Sequence, residues 1–438
     1  MLLNVLYAIV FVMALPWIAY RQIFGKRPIA SLWTRLTGSI PELPNSEGTR
    51  IWCHGVSVGE VQLLAGLLEE ITQQADVRNI HIDCVLSSST TTGLEVACKR
   101  LEPDRVFPCP FDFTWSIRRT LQKARPDILI LGELELWPNL MSMTRARGIP
   151  IIIVNARMSE QSFRGYRLIT PIVRTMLRCT SLVLARSSLD AERFIALGAP
   201  SVVNSGSMKF DGPLGDKTNP NVLRLQTSAA IPDDAVVFLA GSTQAPEEEF
   251  AIQAFKQVSK SFPSLYLMIA PRHVERSTDI SKLLESSGMR WQLRSELELK
   301  KPDSTARILL IDSTGELGWW WGTAAIAFVG GSLDGKRGGQ NMIEPASYGC
   351  VVAFGPHTWN FQEEVLALLE HDAAEVVRDG PELEAFLHRC MTDREFMDFR
   401  SRQAVSLVSA RRGARASTAA RILDYVHEKK EKTASRTA

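Results

Sequence analysis

Short apolar runs alternate along this chain with longer stretches of helical period, and the alternation predicts strands and helices in turn. The first clear example is Ile51 to Glu60, IWCHGVSVGE. Ile51, Trp52 and Cys53 suit a buried strand, Gly55 and Gly59 permit backbone conformations that other residues resist, and Val61 to Ile71 carries apolar positions at helical spacing. The stretch reads as strand, loop and helix, and it delivers Glu60 to the helix start at the carboxyl edge of a sheet. Ligands of open α/β sheets bind at that edge, and free N–H groups at a helix start favour negative charge there. On this stretch alone, Glu60 is either a partner of the helix dipole or a functional carboxylate.

The scheme repeats. Ile80 to Leu86 precedes Thr92 to Arg100, Asp127 to Leu131 precedes Trp137 to Arg147, Ile151 to Val154 precedes a polar loop and helix, and Leu182 to Leu184 precedes Leu189 to Leu197. Such alternation marks a parallel sheet covered by helices. It pauses over the Gly- and Pro-rich stretch Phe210 to Pro232 and restarts at Val236 to Ala240. Ser264 to Ala270, Arg307 to Ile311, Ala325 to Val329 and Val351 to Phe354 supply later strands, and Asp393 to Lys432 reads as one long helical stretch. The predicted fold class is α/β, with two Rossmann-like doubly wound domains and a ligand cleft between their facing strand edges. The first domain is expected over 48–212, a linker over 213–232, the second domain with its C-terminal helices over 233–428, and a polar tail over 429–438.

Ahead of these, Met1 to Tyr20 carries no charge, and a helix needs about 20 residues to cross hydrocarbon. Arg21, Lys26, Arg27 and Arg35 follow it, so residues 1–22 are expected to form a membrane anchor that keeps the remaining chain on the cytoplasmic face. Pro16 leaves room for a helix that lies in the membrane surface instead.

Composition narrows the field. With 438 residues, 45% of them hydrophobic, the chain can build two cores. Fifty Lys and Arg against 48 Asp and Glu leave a formal charge of +2, which gives no global field for nucleic acid. Seven cysteines without a CxxC spacing argue against a disulfide framework and a zinc site and favour a reducing compartment.

Candidate chemistry clusters at predicted strand ends. LGELELWPN places Glu133 and Glu135 after a strong apolar strand, NARMSEQSFRG offers Arg157 and Ser159, and GSMKFD brings Lys209. In the second half, GSTQAPEE supplies small residues whose N–H groups and hydroxyls can surround an oxyanion, and its acids open a helix. APRHVER offers Arg272, His273 and Arg276, whose guanidinium groups suit a phosphate or carboxylate. The stretch from Phe328 to Phe361 has a strand ending in Gly330 and Gly331, a Gly-rich loop, and a predicted helix from Asn341 to Tyr348 that carries Glu344. There is no GxGxxG and no P-loop lysine, so neither a dinucleotide enzyme nor a kinase is the first expectation. Trp319, Trp320 and Trp321 are expected in a core or domain contact rather than as a stacking platform.

Taken together, HGVSVGE, ELELWPN, NARMSEQSFRGY, GSMKFD, GSTQAPEE, PRHVER, GELGWWW, FVGGS, GGQNMIEPASYG and FGPHTWNF resemble the Kdo transferase family in the family's order. That family moves 3-deoxy-D-manno-oct-2-ulosonic acid (Kdo) from CMP-Kdo to lipid A precursors. The resemblance implies a GT-B glycosyltransferase fold and an inverting transfer with no metal or cofactor. It implies Glu60 as general base, with Ser57, Gly59, Glu133, Glu135 and Arg157 on the acceptor side. On the donor side it implies Lys209, Ser242, Thr243, Gln244, Pro271, Arg272, Gly330, Gly331, Ser332, Gln340, Asn341 and Glu344. The implied partners are CMP-Kdo, a lipid A precursor of lipid IVA type and inner-membrane lipid, with no nucleic acid. The chain departs from the family's usual pattern with Gln244 and Gln340 where His is usual, Leu134 where Thr is common, and Arg186 where Gln often stands. Gln keeps a hydrogen-bond donor but is never cationic. Other expectations compatible with the residues are a GT-B enzyme or epimerase using another nucleotide sugar, and an anchored CMP-Kdo-binding protein without turnover.

Overall fold

A computed structural model of the chain describes residues 2–24, 32–46, 48–212 and 215–437, with the backbone alone for 2, 17–24 and 429–437. Of the predicted features, Lys26, Arg27 and Pro213 lie outside the described residues, as do the side chains of Arg21 and of the polar tail over 429–438. The chain divides into two compact units, one of Met1–Asp211 with Gly413–Ala438 and one of Gly212–Arg412.

The first unit holds seven strands, β1 (Thr49–Gly55), β2 (Ile82–Ser88), β3 (Val106–Pro108), β4 (Ile128–Gly132), β5 (Ile151–Ala156), β6 (Leu182–Ala185) and β7 (Val202–Asn204). They form a parallel sheet in the order β3-β2-β1-β4-β5-β6-β7. The chain leaves β1 toward one edge, then returns to place β4 on its other side. Strand order reverses there, so the gap between β1 and β4 is a switch point, where strand-end loops part and leave a crevice. Ile51 and Cys53 face a core shared with helix Val58–Val77, whereas Trp52 faces a second core with Phe107, Leu129 and Leu131. This is the period-two alternation of a strand buried on both faces.

The second unit holds β8 (Val236–Thr243), β9 (Leu265–Pro271), β10 (Trp291–Leu293), β11 (Ile308–Leu310), β12 (Ile326–Val329), β13 (Val351–Phe354) and β14 (Ala374–Val376). Their parallel order is β10-β11-β9-β8-β12-β13-β14, with the switch point between β8 and β12. Trp320 and Trp321 are fully buried, and the Trp321 ring lies where a Cβ on Gly241 would stand.

Three expected boundaries are corrected. The supposed linker 213–232 contains helix Pro220–Ser228, which buries Val222 and Leu225 in the second unit. Asn219 at its N-cap and Pro220 in its first turn start it, so the proline that reads as a breaker is a helix opener. The single C-terminal helix is two, Arg394–Ala410 and Ala414–Thr437, separated at Gly413 with φ +97°. The second of these belongs to the first unit rather than to the second domain: Ala414, Ala419, Ile422, Leu423 and Val426 pack with Leu63, Leu67 and Ile71.

The N-terminal helix Leu2–Phe24 is also part of the first unit. Asn4 Nδ2 donates to Thr114 Oγ1 (2.7 Å), Tyr7 OH donates to Asp112 Oδ2 (3.1 Å), and Phe11 meets Phe111 and Phe113 edge-on. Val5, Leu6, Ile9, Val10, Val12, Met13 and Leu15 are exposed. No helix among the described residues is long and apolar enough to cross a membrane.

Candidate active site

In the first unit the carboxyl ends of β1, β4 and β5 collect three carboxylates. Helix Val58–Val77 opens with Ser57 as N-cap, and Ser57 and Glu60 bond reciprocally: Glu60 N–H donates to Ser57 Oγ (3.3 Å) and Ser57 Oγ–H to Glu60 Oε1 (3.0 Å). The other carboxylate oxygen of Glu60 accepts the Val56 N–H at 2.8 Å. Val56 is itself fixed through its carbonyl, which accepts from Thr90 Oγ1 (3.0 Å) and Ser88 Oγ (3.3 Å). Glu60 is thus aimed by its loop and remains partly open to solvent. Burial pushes its pKa up, the Val56 N–H holds it back, and the charge of Glu133 adds to the rise. Gly59 is exposed in the helix's first turn.

Glu133 sits beyond β4 with φ +51°, a left-handed conformation that is strained for a glutamate. Its N–H is held by the Val154 carbonyl (3.0 Å), and its Oε2 accepts from Arg157 Nε at 2.7 Å. Glu135 accepts from Trp137 Nε1 at 2.8 Å. Burial, then the charge of Glu60, lifts the Glu135 pKa to about 7.

Asn139, the last residue of ELELWPN, turns inward. Its N–H and that of Leu140 donate to Asp112 (2.9 and 2.7 Å), which caps helix Pro138–Ala146, and its side chain donates to Asn4 (3.2 Å). Ser159 caps helix Glu160–Leu168 by accepting the Ser162 N–H, so it is a structural residue here. Arg186, the departure from Gln, has a buried side chain and pairs with Asp190 (3.4 Å). Lys209, expected on the donor side, lies in the first unit, on the turn Met208–Asp211.

Two residues of this edge were missed by sequence reasoning. His54 is fully buried, with Nδ1 3.0 Å from Ser87 Oγ and its ring 6.4 Å from Trp137; burial lowers its pKa to about 4, so it is neutral. Asn155 has φ +49° and marks the register shift between β5 and β6, and its Oδ1 accepts the Met208 N–H at 3.0 Å. Asparagine, here near the end of β5, is a residue type that tolerates this conformation, which is the one signal the sequence held.

The second unit has a parallel bulge. Ser242, with φ +55°, marks the register shift between β8 and β9, after which Thr243 and Gln244 turn inward and are buried. Pro271 ends β9, and Arg272 is exposed beyond it, with its N–H on the Thr243 carbonyl (3.0 Å). The charge of Arg272 reaches Glu344, whose Oε1 accepts from Asn341 Nδ2 at 3.0 Å. Arg276, by contrast, is spent on the buried Glu248 through the two terminal guanidinium nitrogens.

The expected helix from Asn341 to Tyr348 is only Ile343–Ser347; Asn341 Oδ1 takes the Ile343 N–H (3.1 Å) in a turn ahead of it. Gly330, Gly331 and Ser332 are buried at the end of β12, and Gln340 is half-buried. Ser332 is fully engaged within the unit: Oγ–H donates to the Val329 carbonyl (2.7 Å), and Oγ accepts the Gly355 N–H (2.8 Å). The N–H groups of Gly331 and Ser332 go to Glu247, so these two residues offer shape rather than free donors. Among the described residues no group of three or more His, Cys, Asp or Glu is arranged to hold a metal ion.

Two parallel α/β units, each presenting polar groups at its switch point, define the GT-B class of glycosyltransferase fold. A solved glycosyltransferase from Rickettsia africae ESF-5 shares that fold with a TM-score of 0.56 at 11% identity, covering 87% of this chain and 98% of its own. The chain belongs to the 3-deoxy-D-manno-octulosonic acid transferase family. It is 32% identical over 369 residues to the 3-deoxy-D-manno-octulosonic acid transferase of Haemophilus influenzae, covering 83% of this chain and 84% of that protein. The enzyme of the same name from Bordetella pertussis is 30% identical over 328 residues, 72% of each chain. Residues 31–212 match the family profile described as 3-Deoxy-D-manno-octulosonic-acid transferase (kdotransferase).

Proposed function

We propose that this glycosyltransferase moves Kdo from CMP-Kdo, with inversion, to a hydroxyl of a lipid A precursor of lipid IVA type, as a step of lipopolysaccharide biosynthesis. The observation that carries the reading is the setting of Glu60. A carboxylate whose pKa burial raises, aimed by Val56 N–H and Ser57 and flanked by Glu133, is suited to accept a proton from an acceptor hydroxyl. In the proposed step Glu60 takes the proton of the acceptor hydroxyl while the oxygen bonds to the anomeric carbon of Kdo. The bond from that carbon to the CMP oxygen breaks, and CMP leaves with the electron pair. Arg272, Asn341 and Glu344 form the proposed nucleotide side, where a guanidinium meets phosphate and a carboxylate meets a ribose diol.

Helix Leu2–Phe24 supports membrane attachment in the cytoplasmic leaflet. Its inward face is tied to Thr114 and Asp112 while its outward face is apolar, which favours a helix lying along the lipid surface over one that spans it. Incubation of the purified chain with CMP-Kdo and a lipid A precursor, followed by mass spectrometry, tests the function directly. A product heavier by one or more Kdo units is expected. Release of CMP without such a product, or turnover of a UDP-sugar instead, refutes the assignment.

A further inference from the structure

The carboxylate of Glu247 is 1% exposed and accepts four backbone N–H groups. Gln244 (2.9 Å) and Gly331 (2.8 Å) donate to Oε2, and Ser332 (2.9 Å) and Leu333 (3.0 Å) donate to Oε1. Successive N–H groups converging in a concavity are the form in which proteins receive an anion, and here the anion is the protein's own. The fit depends on Gly330, where a Cβ would stand 2.5 Å from Glu247 Oε2 and 2.6 Å from Thr243 Cα. The bonds extend outward from there. The Ser332 carbonyl accepts the His357 N–H (3.0 Å), and the Gly331 carbonyl accepts the Gly339 N–H (2.8 Å), directly before Gln340 and Asn341. One carboxylate therefore fixes the loops after β8 and β12, and through them the loop after β13 and the approach to Asn341 and Glu344.

We infer that Glu247 is a positioning residue for nucleotide binding: it fills the anion nest of the β12 loop and holds Gln244 and the Gly331–Asn341 segment in the geometry that the donor requires. The donor's phosphate is accordingly met by groups outside that nest, among them the exposed Arg272. This inference rests on the reading that the second unit takes CMP-Kdo.

The test uses the full chain, with CMP affinity measured by calorimetry and stability by thermal melting, both with and without sodium formate against sodium chloride at equal ionic strength. Glu247→Ala is expected to lose CMP affinity by roughly 10- to 100-fold, as the loss of charge-assisted bonds in a buried site implies. Formate is expected to restore part of that affinity and to raise the melting temperature of the variant but not of the wild type, since it supplies the missing carboxylate to the vacated N–H groups. Unchanged CMP affinity in the variant, or a formate effect equal in variant and wild type, would overturn the proposal.

Glu247→Gln covers the case in which the alanine variant does not fold. It keeps the volume but turns an NH2 toward two of the N–H donors, so it is expected to bind CMP weakly and to ignore formate; wild-type affinity in this variant overturns the proposal equally. If the wild type itself fails to bind CMP, the donor reading falls, while stabilisation of Glu247→Ala by formate still reports the carboxylate's place in the nest.

Discussion

Arg157 Nε donates to Glu133 Oε2 at 2.7 Å, which makes it the positive partner at a strand edge where Glu133, Glu60 and Glu135 act on one another electrostatically. The pair is partly exposed, so its worth to stability is small. Its weight falls on protonation. With the guanidinium gone, the Glu133 charge acts on Glu60, the proposed base, unopposed and raises its pKa further. Arg157→Ala is therefore expected to shift the acidic limb of the pH profile of kcat/KM to higher pH, and Arg157→Lys to shift it less. A limb that stays in place in both variants would show that this charge does not reach Glu60 or that Glu60 is not the base.

Glu60→Gln keeps the size and the bond to Val56 but cannot take a proton. Single-turnover transfer should slow by about 10² to 10⁴. CMP affinity and thermal stability should remain near those of the wild type, because the capping bond to Ser57 survives. Transfer at the wild-type rate would move the base to Glu133 or Glu135.

The pKa of Glu135, about 7 in the folded chain, lies above the ordinary carboxylate value. The folded state thus holds a proton that the unfolded state has released between about pH 4.5 and 7, so this group makes stability fall as pH rises through that window. Glu135→Gln removes the effect. Relative to the wild type, its melting temperature is expected to be higher at pH 8 than at pH 5, and an equal difference at both values would contradict the assignment.

Arg272→Ala is expected to weaken CMP binding more at low salt than at high, because the Debye length contracts from about 10 Å at 0.1 M to about 3 Å at 1 M. Calorimetry at two ionic strengths reads the difference directly. A salt-independent loss would mean that Arg272 acts through shape rather than charge.

Deletion of residues 2–24 uncovers Phe111 and Phe113 and takes Tyr7 from Asp112. The melting temperature should drop by several degrees and binding to anionic lipid vesicles should be lost together. A truncated chain that melts like the full one would return the segment to the role of a detachable anchor.

Much of the fold could be read from the chain because parallel strands buried on both faces are continuous apolar runs, as in Ile128–Leu131 and Ile151–Val154. The three-residue edge strands β3, β7, β10 and β14 escaped, since so short a segment carries no period and takes its conformation from its neighbour. The candidate site was legible where chemistry and position coincide, as in Glu60 and Glu133. His54, Asn155 and Glu247 were not, because their roles lie in bonds to residues distant in sequence: Ser87, Met208 and Gly331. Glu247 in particular reads as one of three acids in a helix's first turn; two of them, Glu247 and Glu248, are buried, and nothing in the sequence tells that Glu247 goes to the loop after β12 while Glu248 goes to Arg276.

The return of helix Ala414–Thr437 to the first unit has a consequence for synthesis on the ribosome. Leu63, Leu67 and Ile71 are made early, but the residues that cover them, Ala419, Ile422, Leu423 and Val426, emerge only after the whole of the second unit. The nascent first unit must wait with an apolar helix face open while some two hundred residues are translated, which is the interval in which chaperones engage such surfaces. A stop codon shortly after residue 412 would spare every candidate site residue and still cripple the half of the protein that was translated first.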